Sequence, residues 1–347
     1  MLVSFIVVAL NAGDKLNKLI GDLKRQDYDQ SKIEVIFVDS NSTDNTKEVM
    51  RNLQNSDNNF SRVCILDNPK KILPCGWNVA LKESKGDLIV RVDAHSSIPE
   101  NFIRKNVEAI QKGEKIVGGH RISIIDEKSS WQKTLLIAET SLFGSGIASY
   151  RRTKEKKYVS TLAHAAYSRE VFKTVGGYDE RLARTEDNEI HYRMRQAGFK
   201  FLLDPEIKSY HHARNTFSKM LKQKFMNGYW IGLTLGVSPK CFSIYHFVPL
   251  AFVLAILGGV GFAIFGKSLP IIALATVYFA FNIINTIISI AGKKFEFSYL
   301  LLPVLFFLLH VYYGVGTLKG IIQMPFWKMK KENKQCLEIS NVKLGLG

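Results

Sequence analysis

The sequence predicts an α/β fold, a mainly parallel sheet with helices on both faces, followed by transmembrane helices. Three observations lead there. Short apolar runs alternate with segments of helical periodicity through the first hundred residues. The runs stop on polar residues, Asn11, Asp39 and Asp93. Near the other end, residues 241–266, 268–292 and 297–318 contain no Asp, Glu, Lys or Arg. Each is long enough to cross a hydrocarbon core, which takes about 20 apolar residues.

Val3–Ala9 reads as a strand buried on both faces, and Leu16, Leu19, Ile20 and Leu23 recur at helical spacing. Glu34–Val38 is a second strand. The Ser42–Leu53 segment opens with Ser, Thr and Asp, which cap helices. Val63–Leu66 follows, then a helix over Gly76–Glu83, then a strand over Asp87–Val92. Strand–helix alternation of this kind implies parallel pairing. Ligands of such sheets bind beyond the carboxyl ends of the strands, so Asn11, Asp39 and Asp93 are expected to converge on one rim.

Ile116–Gly119 reads as a strand, Lys133–Tyr150 as a helix and Arg151–Lys157 as a solvated charged turn. A helix over Glu186–Gln196 should end at Gly198, a natural C-cap, before a strand over Phe199–Leu203. Phe217–Trp230 is amphipathic and is read as a helix in the membrane interface, with Tyr229 and Trp230 at headgroup level. The expected organisation is an α/β domain over 1–215, the interfacial helix within 216–240, a membrane region over 241–320 and a basic tail over 321–347.

Counting spans raises a conflict. Met1 leads almost directly into Val3–Ala9 without a basic stretch or a small-residue cleavage site, so the N-terminal portion should stay in the cytosol. Three crossings would then put Lys328, Lys330, Lys331 and Lys334 outside, against the positive-inside rule. Either one apolar segment is re-entrant or split, or the rule fails.

The chain has 347 residues, with 47 Lys and Arg against 31 Asp and Glu, a net charge of +16. At 46% hydrophobic it is not a disordered chain. The charge could serve nucleic acid or anionic lipid and phosphate. The apolar segments favour lipid and phosphate, and no nucleic-acid partner is expected. Cys64, Cys75, Cys241 and Cys336 lie far apart, which argues against a zinc ribbon or a disulfide framework.

Three stretches could carry chemistry. Asp93-Ala94-His95, at a strand end, can point a carboxylate and an imidazole at one divalent ion. That donor pair suits Mg²⁺ or Mn²⁺, and the nitrogen favours Mn²⁺. A capped turn is the plain alternative. Glu186-Asp187-Asn188-Glu189 opens a helix, where acids complement the dipole. One of them could instead accept a proton from a substrate hydroxyl. The loop from Asp39 to Asp44 is acidic, a poor phosphate cradle, but able to hydrogen-bond a base or ribose. No G-x-G-x-x-G follows the first strand, which counts against a dinucleotide-binding dehydrogenase.

Together these pieces resemble glycosyltransferase family 2. Val8-Ala9-Leu10-Asn11 keeps the Asn of the family's P-x-Y-N-E opening and lacks its Pro and Glu. Val38-Asp39-Ser40-Asn41-Ser42-Thr43-Asp44 is similar to V-D-D-G-S-T-D, with Ser40 in place of an acid. Asn68-Pro69, Gly76, Asn78 and Ala80 follow the N-P…G-x-N-x-A stretch, and Asp93-Ala94-His95 stands where the family has D-x-D. Gly176-Gly177-Tyr178-Asp179-Glu180 and Glu186-Asp187-Asn188-Glu189…Arg193…Gly198 resemble G-G-F-D-E and E-D-x-E…R…G. The likeness covers about residues 3–230. It is greatest to the branch of bacterial polysaccharide-assembly enzymes that includes succinoglycan-type transferases.

The resemblance implies a GT-A fold and a metal-dependent, inverting hexosyl transfer from a nucleotide-diphospho-sugar to a lipid-linked or polysaccharide acceptor. It implies that Asp39 contacts the base and that Ala9 and Asn11 line the nucleotide pocket. Asn41, Asn78, Arg91 and Asp93 would also bind substrate. Asp93 and His95 would hold Mn²⁺ or Mg²⁺, with His211 or His212 as a third ligand. Asp187 would be the catalytic base, with Glu186 beside it. A processive synthase and a silent membrane scaffold are the alternatives. The absence of a Q-x-x-R-W motif counts against the first, and the joint presence of Asp39, Asp93, His95 and Asp187 counts against the second.

Overall fold

A computed structural model describes residues 1–125, 128–144, 155–213 and 216–332. Parts of the expected 133–150 helix, the 151–157 turn and the basic tail therefore lie outside the described residues. The chain divides into two compact units.

The first unit holds residues 1–124 and 155–212. Among the described residues it contains one nine-stranded sheet. The strands are β1 Val3–Ala9, β2 Ile33–Asp39, β3 Arg62–Asp67, β4 Leu88–Arg91, β5 Ser96–Ser97, β6 Ile116–Ile124, β7 Lys157–Val159, β8 Ala165–Ser168 and β9 Phe201–His212. Their order is β3-β2-β1-β4-β8-β6-β9-β5, with β7 also on β9. β1, β2, β3 and β4 are parallel, as the alternation predicts. β8 runs antiparallel to both β4 and β6, which makes the sheet mixed.

The sheet is buried on both faces because its residues alternate. Val3, Phe5 and Val7 join one core with α1 (Gly13–Lys24), α2 (Thr46–Asn55) and α4 (Phe102–Gln111). Ile6 and Val8 join the other with α3 (Leu73–Glu83), α6 (Arg169–Val175) and α7 (Glu186–Gln196). Opposite the rim where the chemistry gathers, the buried acid Glu34 is bonded to Ser4, to the backbone N–H of Gly86 at 2.9 Å and to Arg62 at 2.8 Å. Burial opposes its charge, but these donors outweigh it and hold the carboxyl below its ordinary value.

Two local expectations shift. The strand expected over Phe199–Leu203 continues to His212 despite Pro205, because a register shift between Gly119 and His120 lets β6 and β9 resume pairing beyond it. The helix expected to start at Ser42 starts at Thr46. Asp44 accepts from the backbone of Thr46 at 3.0 Å and of Gly13 at 3.3 Å, serving the starts of α2 and α1 together.

The second unit holds residues 128–144 and 216–332. Its helices are α5 Ser130–Thr140, α8 Phe217–Thr234, α9 Val248–Ile264, α10 Leu269–Ile290 and α11 Leu302–Glu332. The reading of 1–215 as one continuous domain did not anticipate that α5 belongs here: Leu135 and Ala138 share a core with Met220, Leu302, Phe306 and Leu309. α5 also stops earlier than the pattern suggested, where Ser141 turns to extended backbone and its hydroxyl accepts from Gly144 N at 3.0 Å. α8 and α11 run side by side in the same direction. A Cβ on Gly228 would fall 2.0 Å from the Tyr313 carbonyl oxygen, and one on Gly316 2.2 Å from that of Phe225. Only glycine allows backbones this close. Among the described residues, three stretches are long and apolar enough to cross a membrane: Ile244–Ile264, Leu269–Ile290 and Phe297–Met329.

Candidate active site

The ends of β1, β2 and β4 meet on one rim, and the backbone ties them. Ser40 N donates to Ala9 O at 2.8 Å, and Val92 N, just past β4, donates to Ile6 O at 3.3 Å. Asn11 and Asn41 both adopt left-handed backbone, φ 48° and 63°, a region asparagine tolerates. The Asn11 side-chain Oδ1 accepts from Thr43 N at 2.8 Å, and Asn11 N donates to Ser42 Oγ at 3.0 Å. Asp39 is buried and accepts from Ser42 N at 3.2 Å. Ala9, Asn11, Asp39 and Asn41 thus form one loop system, as their placement at strand ends predicts. Ser40, the departure from the family pattern, is buried and accepts from Asn68 Nδ2 at 3.0 Å.

Asn78 is a correction. It is 1% exposed, and both ends of its amide are used. Its Nδ2 donates to Tyr178 O at 2.8 Å, and its oxygen accepts from Tyr178 N at 2.7 Å. It anchors the Gly176–Glu180 loop and does not face a ligand. Arg91 is likewise held by protein groups. Its guanidinium lies 4.6 Å from the Trp77 ring centroid and 3.6 Å from Glu186. Burial works against its charge, but Tyr178, Glu186 and Asp93 hold its pKa above the ordinary value.

Beyond β4 the chain turns through Asp93 and His95 into β5, whose Ser96 pairs with His211 of β9. That register brings the His95 and His211 rings to 4.8 Å between centroids. The structure adds a residue that no sequence pattern singles out. His164 is 3% exposed, with Nε2 3.2 Å from Asp93 Oδ2 and Nδ1 2.9 Å from Ser209 Oγ. A carboxylate can only accept, so His164 Nε2 carries a proton. Burial opposes charge on Asp93, yet the His164 bond and the charge of Arg91 prevail and keep its carboxyl below the usual range.

The residues suit a divalent ion in kind. Burial lowers the pKa of His95, and burial with the Arg121 charge lowers that of His211 to about 2, so both imidazoles are neutral, the ligand form. Among the described residues, buried His211 Nδ1 has no hydrogen-bond partner. Among the described residues, however, no three His, Cys, Asp or Glu side chains already converge at binding distance. The side chain of His212, the competing third ligand, lies outside the described residues.

α7 starts at the same rim. Thr185, just before it, is left-handed at φ 67°. Asp187 is partly exposed and accepts from Asn188 N at 2.9 Å. Glu186 is buried, and burial with the Asp187 charge pushes its pKa up from 4.5 to about 8. Its folded pKa is raised, so its contribution to stability is complete below about pH 4.5 and is lost as pH rises through 8. Glu186→Gln keeps the shape without the charge. At pH 9 the variant should melt roughly 5 °C above the parent, and at pH 5 the two should coincide, read by thermal unfolding across that range.

Comparison with known proteins supplies the family. The profile of glycosyl transferase family 2 matches residues 4–176. The succinoglycan biosynthesis protein ExoA of Rhizobium meliloti is 30% identical over 228 residues, covering 64% of this chain and 67% of that protein. The chain belongs to glycosyltransferase family 2. A second family-2-like relative is the dolichyl N-acetyl-alpha-D-glucosaminyl phosphate 3-beta-D-2,3-diacetamido-2,3-dideoxy-beta-D-glucuronosyltransferase of Methanococcus voltae. It is 27% identical over 327 residues, covering 92% of this chain and 97% of that one. Among solved structures, the mannosyltransferase PcManGT from Pyrobaculum calidifontis, in complex with GDP-Man and Mn²⁺, superposes with a TM-score of 0.61. Identity is 16%, over 91% of this chain and 86% of that chain, and the likeness shows the GT-A fold.

Proposed function

We propose that this family-2 glycosyltransferase is attached to a membrane and moves a sugar, with inversion, from a nucleotide-diphospho-sugar to a lipid-linked or polysaccharide acceptor. The observation that carries the reading is the strand-end rim itself, where Asp93 leads to His95, His95 lies 4.8 Å from His211 between ring centroids, and Glu186 at the start of α7 lies 3.6 Å from Arg91 at the end of β4. The sugar-nucleotide complex of the archaeal mannosyltransferase and the dolichyl-phosphate sugar named for the M. voltae relative support the donor and acceptor classes.

The loop of Ala9, Asn11, Asp39 and Asn41 receives the nucleoside, with Asp39 toward the base. Asp93, His95 and His211 would hold Mn²⁺ or Mg²⁺, which when bound offsets the charge gathering on the departing diphosphate. His164 is a positioning residue, fixing the Asp93 carboxylate by a hydrogen bond. Asp187 takes the proton from the acceptor hydroxyl as that oxygen approaches the anomeric carbon from the face opposite the diphosphate. Glu186, neutral near pH 7, leaves the negative charge of the pair on Asp187. The basic surface assists with anionic donor and lipid. The membrane is the cell membrane, with the catalytic unit on its cytoplasmic face.

The test is release of nucleoside diphosphate. Detergent-solubilised protein is given Mn²⁺, a panel of UDP- and GDP-sugars and lipid extract. Release from at least one donor, dependent on the extract, is expected. No release from any, with the protein folded, would reject the reading.

A further inference from the structure

The three apolar stretches do not play one part. Ile244–Ile264 and Leu269–Ile290 are each about 32 Å long at 1.5 Å per residue, the thickness of a hydrocarbon core. Phe297–Met329 is about 50 Å long, far more than a crossing needs. In the first two, 11% of the most apolar window is buried, and in the third 39%.

Contacts inside this unit give the direction of α11. α10 meets it through Asn282, whose Nδ2 donates to Pro303 O at 2.8 Å, and through Tyr278, whose hydroxyl is 2.9 Å from His310 Nδ1. α9 meets it one step further on, where Pro249 lies against Gly314. Phe307 touches Phe252 and Phe279, one from each partner. Pro303 and Gly314 are about 16 Å apart, the width of two helices side by side, not the length of one. α9 and α10 are antiparallel to each other, joined through Gly259 and Ile271. In a bundle of three crossings the contacts would run along the whole of each helix. Here α11 crosses the base of the α9–α10 hairpin, and the hairpin continues beyond it with Leu257 55%, Phe262 55%, Ile272 55% and Val277 70% exposed.

The flanks of α11 agree. One side is buried against α5 and α8, and α8 brings the exposed Lys219 and Lys222 alongside. At a bilayer centre each lysine would cost about 2.5–3.5 kcal/mol. The other side carries Val304, Tyr312, Val315, Ile322 and Phe326, all at least 40% exposed and spaced to share one face, while Lys319 on that face has its ammonium 5.7 Å from the Phe225 ring centroid of α8.

Resting on the membrane attachment proposed above, we infer that only α9 and α10 cross the membrane, and that α11 lies in its plane with the Val304–Phe326 face against the acyl chains. An in-plane helix sits about 5–10 Å into the boundary. Leu254–Ile264 adds about 16 Å beyond it, and the turn at Gly266–Ser268 with the snorkelling Lys267 side chain covers the several Å that remain to the far headgroups. Two crossings place the residues before Ile244 and those at the end of α11 on one face. This resolves the conflict over the basic tail.

The test labels cysteines in sealed right-side-out and inverted vesicles with a membrane-impermeant maleimide. The full chain carries Cys64→Ser and Cys336→Ser, while buried Cys75 and Cys241 stay. Lys267→Cys, Lys294→Cys or Met329→Cys is then added singly. Residues 294 and 329 should label from the same face and 267 from the opposite one. Labelling of 329 together with 267 would overturn the inference, since α11 would then cross. Labelling of all three from one face, in protein that resists alkaline carbonate, would also overturn it, because the hairpin would not span. Removal of the protein by carbonate would instead reject the membrane reading itself.

Discussion

Asp187→Asn should lower turnover by about 10²–10⁴-fold, the range supplied by a positioned general base. Donor binding should stay within a few fold of the parent. The substitution keeps the shape and the acceptor oxygen for the Asn188 N–H, so the start of α7 is preserved. What it removes is the basic oxygen. The neighbouring acid cannot stand in. Glu186 is buried beside the Arg91 guanidinium and holds its proton to about pH 8, so at neutral pH it has no lone pair of comparable basicity to offer. The measurement pairs kcat with calorimetric binding of the donor analogue. Loss of kcat at unchanged binding identifies the base. Retained kcat would remove Asp187 from that role, and a parallel loss of binding would make it a substrate contact. Glu186→Gln is the control and should keep most of the turnover at pH 7.

Much of the catalytic unit was legible because its first half obeys a local rule. A parallel strand covered on both faces is a largely apolar run, and β1, β2 and β4 are such runs; the polar residue that reaches the rim ends β2 and follows β1 and β4 by two residues. The second half obeys no such rule. β8 is a four-residue strand set antiparallel between β4 and β6, and β9 carries Asp204, Pro205, Glu206 and Lys208, a composition that reads as loop. Its strand character comes from pairing on β6 and not from its own residues. The site divides in the same way. Asp93 and His95 are neighbours in sequence and could be read together, whereas His164 stands 71 residues from Asp93 in an otherwise apolar stretch. Only the β4–β8–β6 pairing makes them neighbours. In the second unit, glycines that count against a helix in isolation turn out to permit one, since Gly228 and Gly316 are where α8 and α11 meet backbone to backbone.

Asp93→Asn should lower turnover by about 10³-fold or more, as expected when several kcal/mol of charge stabilisation at the leaving diphosphate is lost. It should also abolish the Mn²⁺-dependent part of nucleoside diphosphate binding. Asp93 is the anionic member of the proposed donor set, while His95 and His211 contribute neutral nitrogen. An amide in its place keeps the oxygen geometry but gives up the charge that attracts a divalent cation. His164→Ala separates the ligand from its support. It leaves all three proposed ligands in place and removes the bond that fixes Asp93, together with those to Ser96 and Ser209, so Mn²⁺ affinity should fall about 10–100-fold, the usual cost of losing such a partner, with kcat recovering at high Mn²⁺. Asp93→Asn should not recover. Titrating Mn²⁺ into each protein with GDP or UDP present, followed by calorimetry, tells the cases apart. If His164→Ala is as deep and as irreversible as Asp93→Asn, His164 is itself a ligand. If neither variant alters Mn²⁺ binding, the ion, if any, is held elsewhere and the Asp93–His95–His211 assignment falls.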